Sequence, residues 1–112
     1  IREWHVHKAT AVTSDNEGNI FIAEQGPPPV QYGVRNLGHS VGIWNKNGEL
    51  LQRLGSELPG EDADQFLWPH SISVDSKGRI FIAEVSYVEV GRTLSPPREM
   101  TSFRVWEPLS DN

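Results

Sequence analysis

One segment of this chain occurs twice, and the repeat limits the possible folds more than any other feature. Residues 11–24 read AVTSDNEGNIFIAE and residues 71–84 read SISVDSKGRIFIAE, so the last five positions are identical. A weaker echo places the Ile-Trp pair at 43–44 on the Val-Trp pair at 105–106. Self-similarity at a fixed spacing indicates that one supersecondary unit is used more than once. We therefore predict two copies of one unit, the second of them cut short.

Each unit is predicted to be β-structure. Ile72 and Val74, and then Ile80 and Ile82, alternate or nearly alternate with polar or small residues, as half-buried strands do. An Asp or Asn followed three positions later by Gly, at 15–18, 45–48 and 75–78, predicts a tight turn between neighbouring strands. No apolar period of 3.6 residues is sustained, so we expect no helix longer than one turn. The predicted strands lie near 10–14, 19–24, 41–45, 49–54, 70–75, 79–84 and 102–106.

These motifs resemble the NHL repeat. Residues 69–84 and 41–55 are similar to its two strand-turn-strand halves, and residues 64–70 resemble the linker that leads into a new blade. The resemblance implies an all-β fold built from β-propeller blades, each a four-stranded antiparallel up-and-down sheet, with about two blades in this chain. It places a first blade at about 8–55, a linker at 56–69 and an incomplete second blade at about 70–107.

Two blades leave two apolar faces open, because a blade buries its faces against its neighbours. The resemblance implies a ring of six blades, so the ring is expected to close by self-association or with the remaining blades of a longer propeller. Three copies of this chain would supply six blades. The sequence leaves both alternatives open.

The long connections of such blades are expected to share one end of the sheets, opposite the tight turns. They correspond to residues 25–40, 55–69 and 85–101, and long loops on a rigid scaffold commonly carry binding sites. Their candidate ligand-binding residues are Tyr32, Arg35, His39, Trp68, Tyr87, Arg92 and Arg98.

His70 is the candidate metal ligand. Among NHL propellers the chain is most similar to the peptidylglycine amidating lyase group, in which a Pro-His pair at this point supplies one of three histidines that bind zinc. The equivalent position of the first repeat is Thr10. If three chains closed one ring, three copies of His70 would meet at the channel mouth. His5 and His7, two positions apart, form a second possible chelating pair.

Glu24 and Glu84 end matching strands. The chain also resembles gluconolactonase-like propellers, in which an acidic residue near the channel binds a divalent cation such as calcium. We nevertheless expect both carboxylates to be solvated strand ends. Trp44 and Trp106 occupy equivalent positions and are expected to pack between blades.

Composition excludes several classes of protein. A net charge of −5 disfavours a protein that follows the phosphates of a nucleic acid. The chain has no cysteine, which rules out disulfides and thiolate metal sites. No apolar run approaches a membrane span and no signal peptide is visible, so a soluble protein is expected, its compartment open. Two functions remain: a metal-dependent enzyme with lyase-like chemistry, or a non-catalytic module that binds a protein or small ligand.

Overall fold

Two antiparallel β-sheets form the fold in a computed structural model, which describes residues 3, 8–25, 39–56 and 58–108. Each sheet runs up and down, because its strands are hydrogen-bonded in chain order. Sheet 1 consists of β1 (Ala9–Ser14), β2 (Ile20–Glu24), β3 (Ser40–Trp44) and β4 (Leu50–Gly55). Sheet 2 consists of β5 (Pro69–Val74), β6 (Ile80–Glu84) and β7 (Phe103–Trp106).

All seven predicted strands are present within one residue of their expected ends, which confirms the all-β fold class. The only helical elements in the described residues are short and lie between β6 and β7. One is α1 (Ser86–Glu89), about one turn long, and the other is a 3-10 turn at Gly91–Thr93. In the same part of the chain, no helix has the length and apolarity that crossing a bilayer requires.

The three tight turns share one construction. In the first, a side-chain oxygen of Asp15 accepts hydrogen bonds from the backbone N–H groups two and four residues further on, both at 2.9 Å. Asn45 and Asp75 do the same at 2.9–3.0 Å. A glycine with φ between 80° and 86° then completes each turn. The Asx-glycine motif therefore sets where each pair of strands reverses.

The two sheets pack face to face. We call the faces that meet the inner faces, and the opposite ones the outer faces. The even-numbered residues of β2 lie on the outer face of sheet 1. Their counterparts in the repeat, the even-numbered residues of β6, lie on the inner face of sheet 2. The buried core between the sheets consists of Phe21, Ala23, Val41 and Leu54 from sheet 1, Ile80 and Ile82 from sheet 2, and Phe66.

Phe66 comes from the linker and fills the middle of this core. Its side chain is fully buried, and its ring stacks on Trp106 with 5.4 Å between centroids. Trp106 thus packs between the sheets, as expected. Trp44, at the equivalent position of sheet 1, is half-buried on the outer face.

The sheets approach each other most closely at their first strands, β1 and β5. The single O–H of Thr10 is shared between two carbonyl oxygens, that of Ala23 within sheet 1, at 3.2 Å, and that of Pro69 in sheet 2, at 3.1 Å. Thr10 and His70 occupy the same irregularity of register in their strands. The structure therefore bears out the equivalence of these two positions, and Thr10 joins the two sheets directly before His70.

Candidate functional site

The long connections lie at the end of the sheets opposite the three tight turns, because consecutive strands alternate in direction. The described part of this end comprises the linker between β4 and β5 and the whole connection between β6 and β7. We refer to it as the long-connection end. His39, the last residue of the connection between β2 and β3, belongs to the same end, as do the other predicted ligand-binding residues that the structure describes.

A buried carboxylate holds the linker in place. The Glu84 side chain is fully buried. One of its oxygens accepts the backbone N–H groups of Leu67, at 2.8 Å, and Trp68, at 3.3 Å. Its other oxygen accepts Arg104 Nε at 3.2 Å. Burial raises the pKa of Glu84, and the hydrogen bonds from Leu67 and Arg104 oppose that shift. The carboxylate thereby fixes the backbone that leads directly to His70.

Arg104 extends this network along the linker. Its two terminal nitrogens donate to the carbonyl oxygens of Asp62, at 2.8 Å, and Gly60, at 3.0 Å. The guanidinium also lies over the Phe66 ring, 5.8 Å from its centroid. One side chain on β7 therefore contacts the linker at three places, which gives an irregular segment a single backbone path.

A second carboxylate joins the linker to the connection between β6 and β7. Glu61 accepts Arg98 Nη2 at 2.7 Å and the backbone N–H of Thr101 at 2.8 Å. The hydrogen bond from Arg98, followed by that from Thr101, lowers the pKa of Glu61 to about 2. Arg98, predicted as a ligand-binding residue, is thus engaged in an ion pair within the scaffold.

The structure brings two of the predicted ligand-binding residues together. The His39 and Trp68 rings lie 5.2 Å apart, tilted by 50°. His39 is fully buried, whereas Trp68 is half-buried. His70 follows Trp68 by two positions and is exposed on β5. An indole and an accessible imidazole thus lie close along the chain, on backbone that Glu84 holds.

The other predicted residues are spread along the same end. Tyr87 lies on α1 with 40% of its surface exposed. Arg92 is exposed, and its Nε donates to the carbonyl of Val88. Tyr32 and Arg35, together with His5 and His7, lie outside the described residues.

The expectation that Glu24 and Glu84 are solvated is wrong. Both are buried, and each is paired with an arginine. Glu24 contacts Arg53 Nη1 at 2.5 Å and Ser40 Oγ at 3.4 Å. The arginines come from other strands of the same sheets, Arg53 from β4 and Arg104 from β7, so the sequence pattern of β2 and β6 alone does not reveal the ion pairs. A cation at either carboxylate would have to displace a guanidinium.

Metal ligation was the other prediction for this end. Among the described residues, no three His, Asp or Glu side chains form a cluster that could hold a metal ion. The His70 imidazole is accessible, so it fits one zinc ligand. Further ligands would have to come from groups outside the described part of the chain.

Glu61 and Arg104 are parts of this end that were not predicted from the sequence. Arg104 stands where the first repeat has Gly42, when 105–106 is aligned with 43–44. The available signal is a charged residue on the apolar face of a strand where the other repeat has none. The preceding strand ends in a glutamate that could pair with it. Glu61 carries no such signal, because its partners follow about forty residues later.

The chain was compared with models of protein families and with curated protein sequences. No model of a protein family matches the chain. No curated protein sequence matches it either. What the long-connection end binds must therefore be inferred from its own side chains.

Proposed function

We propose that this chain is a two-blade unit of a β-propeller of the NHL type, and that its long-connection end binds a ligand. The observation that carries the proposal is the network of Glu84, Arg104 and Glu61. It fixes the linker and the connection between β6 and β7 against each other, beside Trp68 and His70. Binding residues are commonly placed on irregular segments that a rigid scaffold holds in one geometry.

The cost of the network supports a role beyond joining two strands. Removing a carboxylate and a guanidinium from water costs several kcal/mol for each ion, and a buried pair often contributes little net stability. Here both members of the pair also bind the backbone of the linker. Glu84 accepts hydrogen bonds from two N–H groups, and Arg104 donates to two carbonyl oxygens. Such an arrangement specifies a loop conformation.

The exposed groups at this end favour a small anionic ligand with an apolar part. Trp68 offers a half-exposed indole, Tyr87 an exposed phenol ring and Arg92 an exposed guanidinium. Arg92 Nε donates to the carbonyl of Val88, the residue after Tyr87, and an aromatic ring near a cation suits a carboxylate attached to a ring or chain. Benzoate is the simplest probe with both features.

Backbone amide NMR of the full chain with benzoate tests this proposal. We expect concentration-dependent shifts at Trp68 and Tyr87, and at least a tenfold weaker response in Arg92→Gln. Lys77→Gln is the matched control, because it removes the same charge at the opposite, tight-turn end. Equal responses in the two variants, or shifts confined to the tight turns, would contradict the proposal.

A second candidate is a zinc site with lyase-like chemistry. The observation in its favour is the exposed imidazole of His70, which directly follows backbone that Glu84 contacts at Trp68 and Thr10 contacts at Pro69. Zinc bound there would supply a Lewis acid that activates water or a substrate hydroxyl. The His70 imidazole would provide one ligand, and residues outside the described set would provide the others.

Zinc titration by calorimetry separates the two candidates. The variant His70→Thr places at the β5 irregularity the residue that sheet 1 has there, and the neighbouring Ser71→Thr keeps the imidazole. We expect the zinc affinity to fall at least tenfold in His70→Thr alone, with both melting temperatures unchanged. Equal zinc binding in the two variants would remove the metal-dependent candidate and leave the metal-free binding module.

A further inference from the structure

The outer face of sheet 2 repeats a surface that is buried in sheet 1. Phe103 occupies the place of Val41, yet 59% of its surface is exposed whereas Val41 is fully buried. Ala83 is exposed at the place of the fully buried Ala23. Val105 is 43% exposed on the same outer face. The outer face of sheet 2 therefore carries apolar side chains at the positions that, in sheet 1, form the interface between the two sheets.

The outer face of sheet 1 shows the converse relation. Val12 occupies the place of Ile72, which packs against the core, yet 66% of Val12 is exposed. Trp44 lies at the place of Trp106, whose ring packs against Phe66 between the sheets. The outer face of sheet 1 is thus the counterpart of the inner face of sheet 2.

The internal interface therefore joins two kinds of face, and each kind occurs once more with exposed apolar side chains: Phe103 and Val105 on sheet 2, and Val12 on sheet 1. We propose that the outer face of sheet 2 docks on the outer face of sheet 1 in a second copy of this chain, repeating the contact that the two sheets make within one copy. The occupant follows from the internal repeat, since the open faces match the two halves of an observed interface. The proposal stands on this repeat and is independent of the ligand site.

Two physical properties follow from such a contact. Because the two faces differ, the contact is heterologous, and each copy keeps one open face after a single contact. The contact between copies also lacks the covalent linker that positions Phe66 inside the internal core. Its occupancy therefore rises with protein concentration, unlike that of the internal interface.

Light scattering coupled to size-exclusion chromatography tests the proposal on the full chain. We expect a mass above the 12.6 kDa of one chain, increasing with concentration. Phe103→Arg blocks the outer face of sheet 2, and Val12→Arg blocks that of sheet 1. Each variant alone is expected to elute as one chain, while Ser76→Arg, which adds the same charge at an exposed turn position, behaves as the unsubstituted protein.

Mixing the two blocked variants gives the decisive result. Each retains the face that the other lacks, so we expect a one-to-one pair with twice the mass of a chain and no larger species. A pair formed by Phe103→Arg alone or Val12→Arg alone would show that one face contacts its own kind, which overturns the proposal. A single-chain mass for the unsubstituted protein at every concentration would overturn it as well. Thermal unfolding of both variants, expected near that of the unsubstituted protein, verifies that they are folded.

Discussion

Arg104 Nε lies 3.2 Å from the buried carboxylate of Glu84, on the neighbouring strand of the same sheet. The equivalent glutamate of sheet 1, Glu24, takes its arginine from the fourth strand instead, where Arg53 faces Gly42 across the register. Arg104 itself stands at the place of Gly42. The two repeats therefore neutralise the same buried charge from different strands, and the described part of sheet 2 does so with three strands.

Removing the Arg104 guanidinium should destabilise the fold strongly. In Arg104→Met, Glu84 keeps its burial but loses its charged partner, and two linker carbonyls lose their donor. Breaking a buried ion pair from one side costs about 3–5 kcal/mol. Urea denaturation followed by tryptophan fluorescence measures this loss.

Arg98→Met is the matched control for that change. Arg98 also pairs with a glutamate, but 55% of its side chain is exposed. Surface ion pairs contribute about 0–1 kcal/mol, so we expect a loss within that range. Equal losses in the two variants would mean that Arg104 does not act through burial.

Stability should fall in acid partly through Glu61. Its folded pKa of about 2 lies below the ordinary value of 4.5, because Arg98 and Thr101 donate to the ionised carboxylate. The group therefore stabilises the fold fully above pH 4.5, and this contribution is lost as the pH falls toward 2. Glu61→Gln lacks the titration, so the difference in melting temperature between the two proteins should shrink over that range. A difference independent of pH would contradict the ion pair.

Substitutions at two glycines with positive φ distinguish the energetic cost of backbone strain from the cost of a steric clash. Gly78→Ala meets only Pro108, at an ordinary 3.7 Å, so its cost is the left-handed backbone, about 1–2 kcal/mol. At Gly55 a Cβ would lie 2.6 Å from the His39 carbonyl oxygen and 2.9 Å from the Phe66 ring. Gly55→Ala should therefore cost clearly more in urea denaturation, and should also shift the NMR signals of His39 and Trp68. Equal costs would show that the chain relieves the contact freely.

The hydroxyl that bridges the two sheets should contribute measurably to stability. Thr10→Val preserves shape but removes the donor to the Ala23 and Pro69 carbonyls. A hydrogen bond of this kind contributes about 0.5–1.5 kcal/mol. Thr13→Val, a change on the same strand at a half-buried position, is the control. Faster amide hydrogen exchange across both β1 and β5 in Thr10→Val alone would confirm that the bond joins the sheets.

Local signals explain why so much of the fold could be predicted. A side chain that accepts its own backbone N–H groups at Asp15, Asn45 and Asp75, followed by a glycine, encodes each reversal within five residues. Alternating apolar residues then specify the strands on both sides of it. The candidate site was harder to predict, because its fixed geometry depends on pairs such as Glu61 with Arg98, which are distant in sequence.

Local sequence patterns were enough to predict the repeated unit, the strands, the turns and the end of the sheets where the long connections lie. The environment of individual polar side chains became known from the packing of the whole chain. His39 became buried beside Trp68, Arg98 became part of the scaffold, and Glu84 became the buried anchor of the linker. The reason is physical: strand periodicity and turn chemistry act over a few residues, whereas burial and ion pairing depend on which distant segments the packing of two sheets brings together.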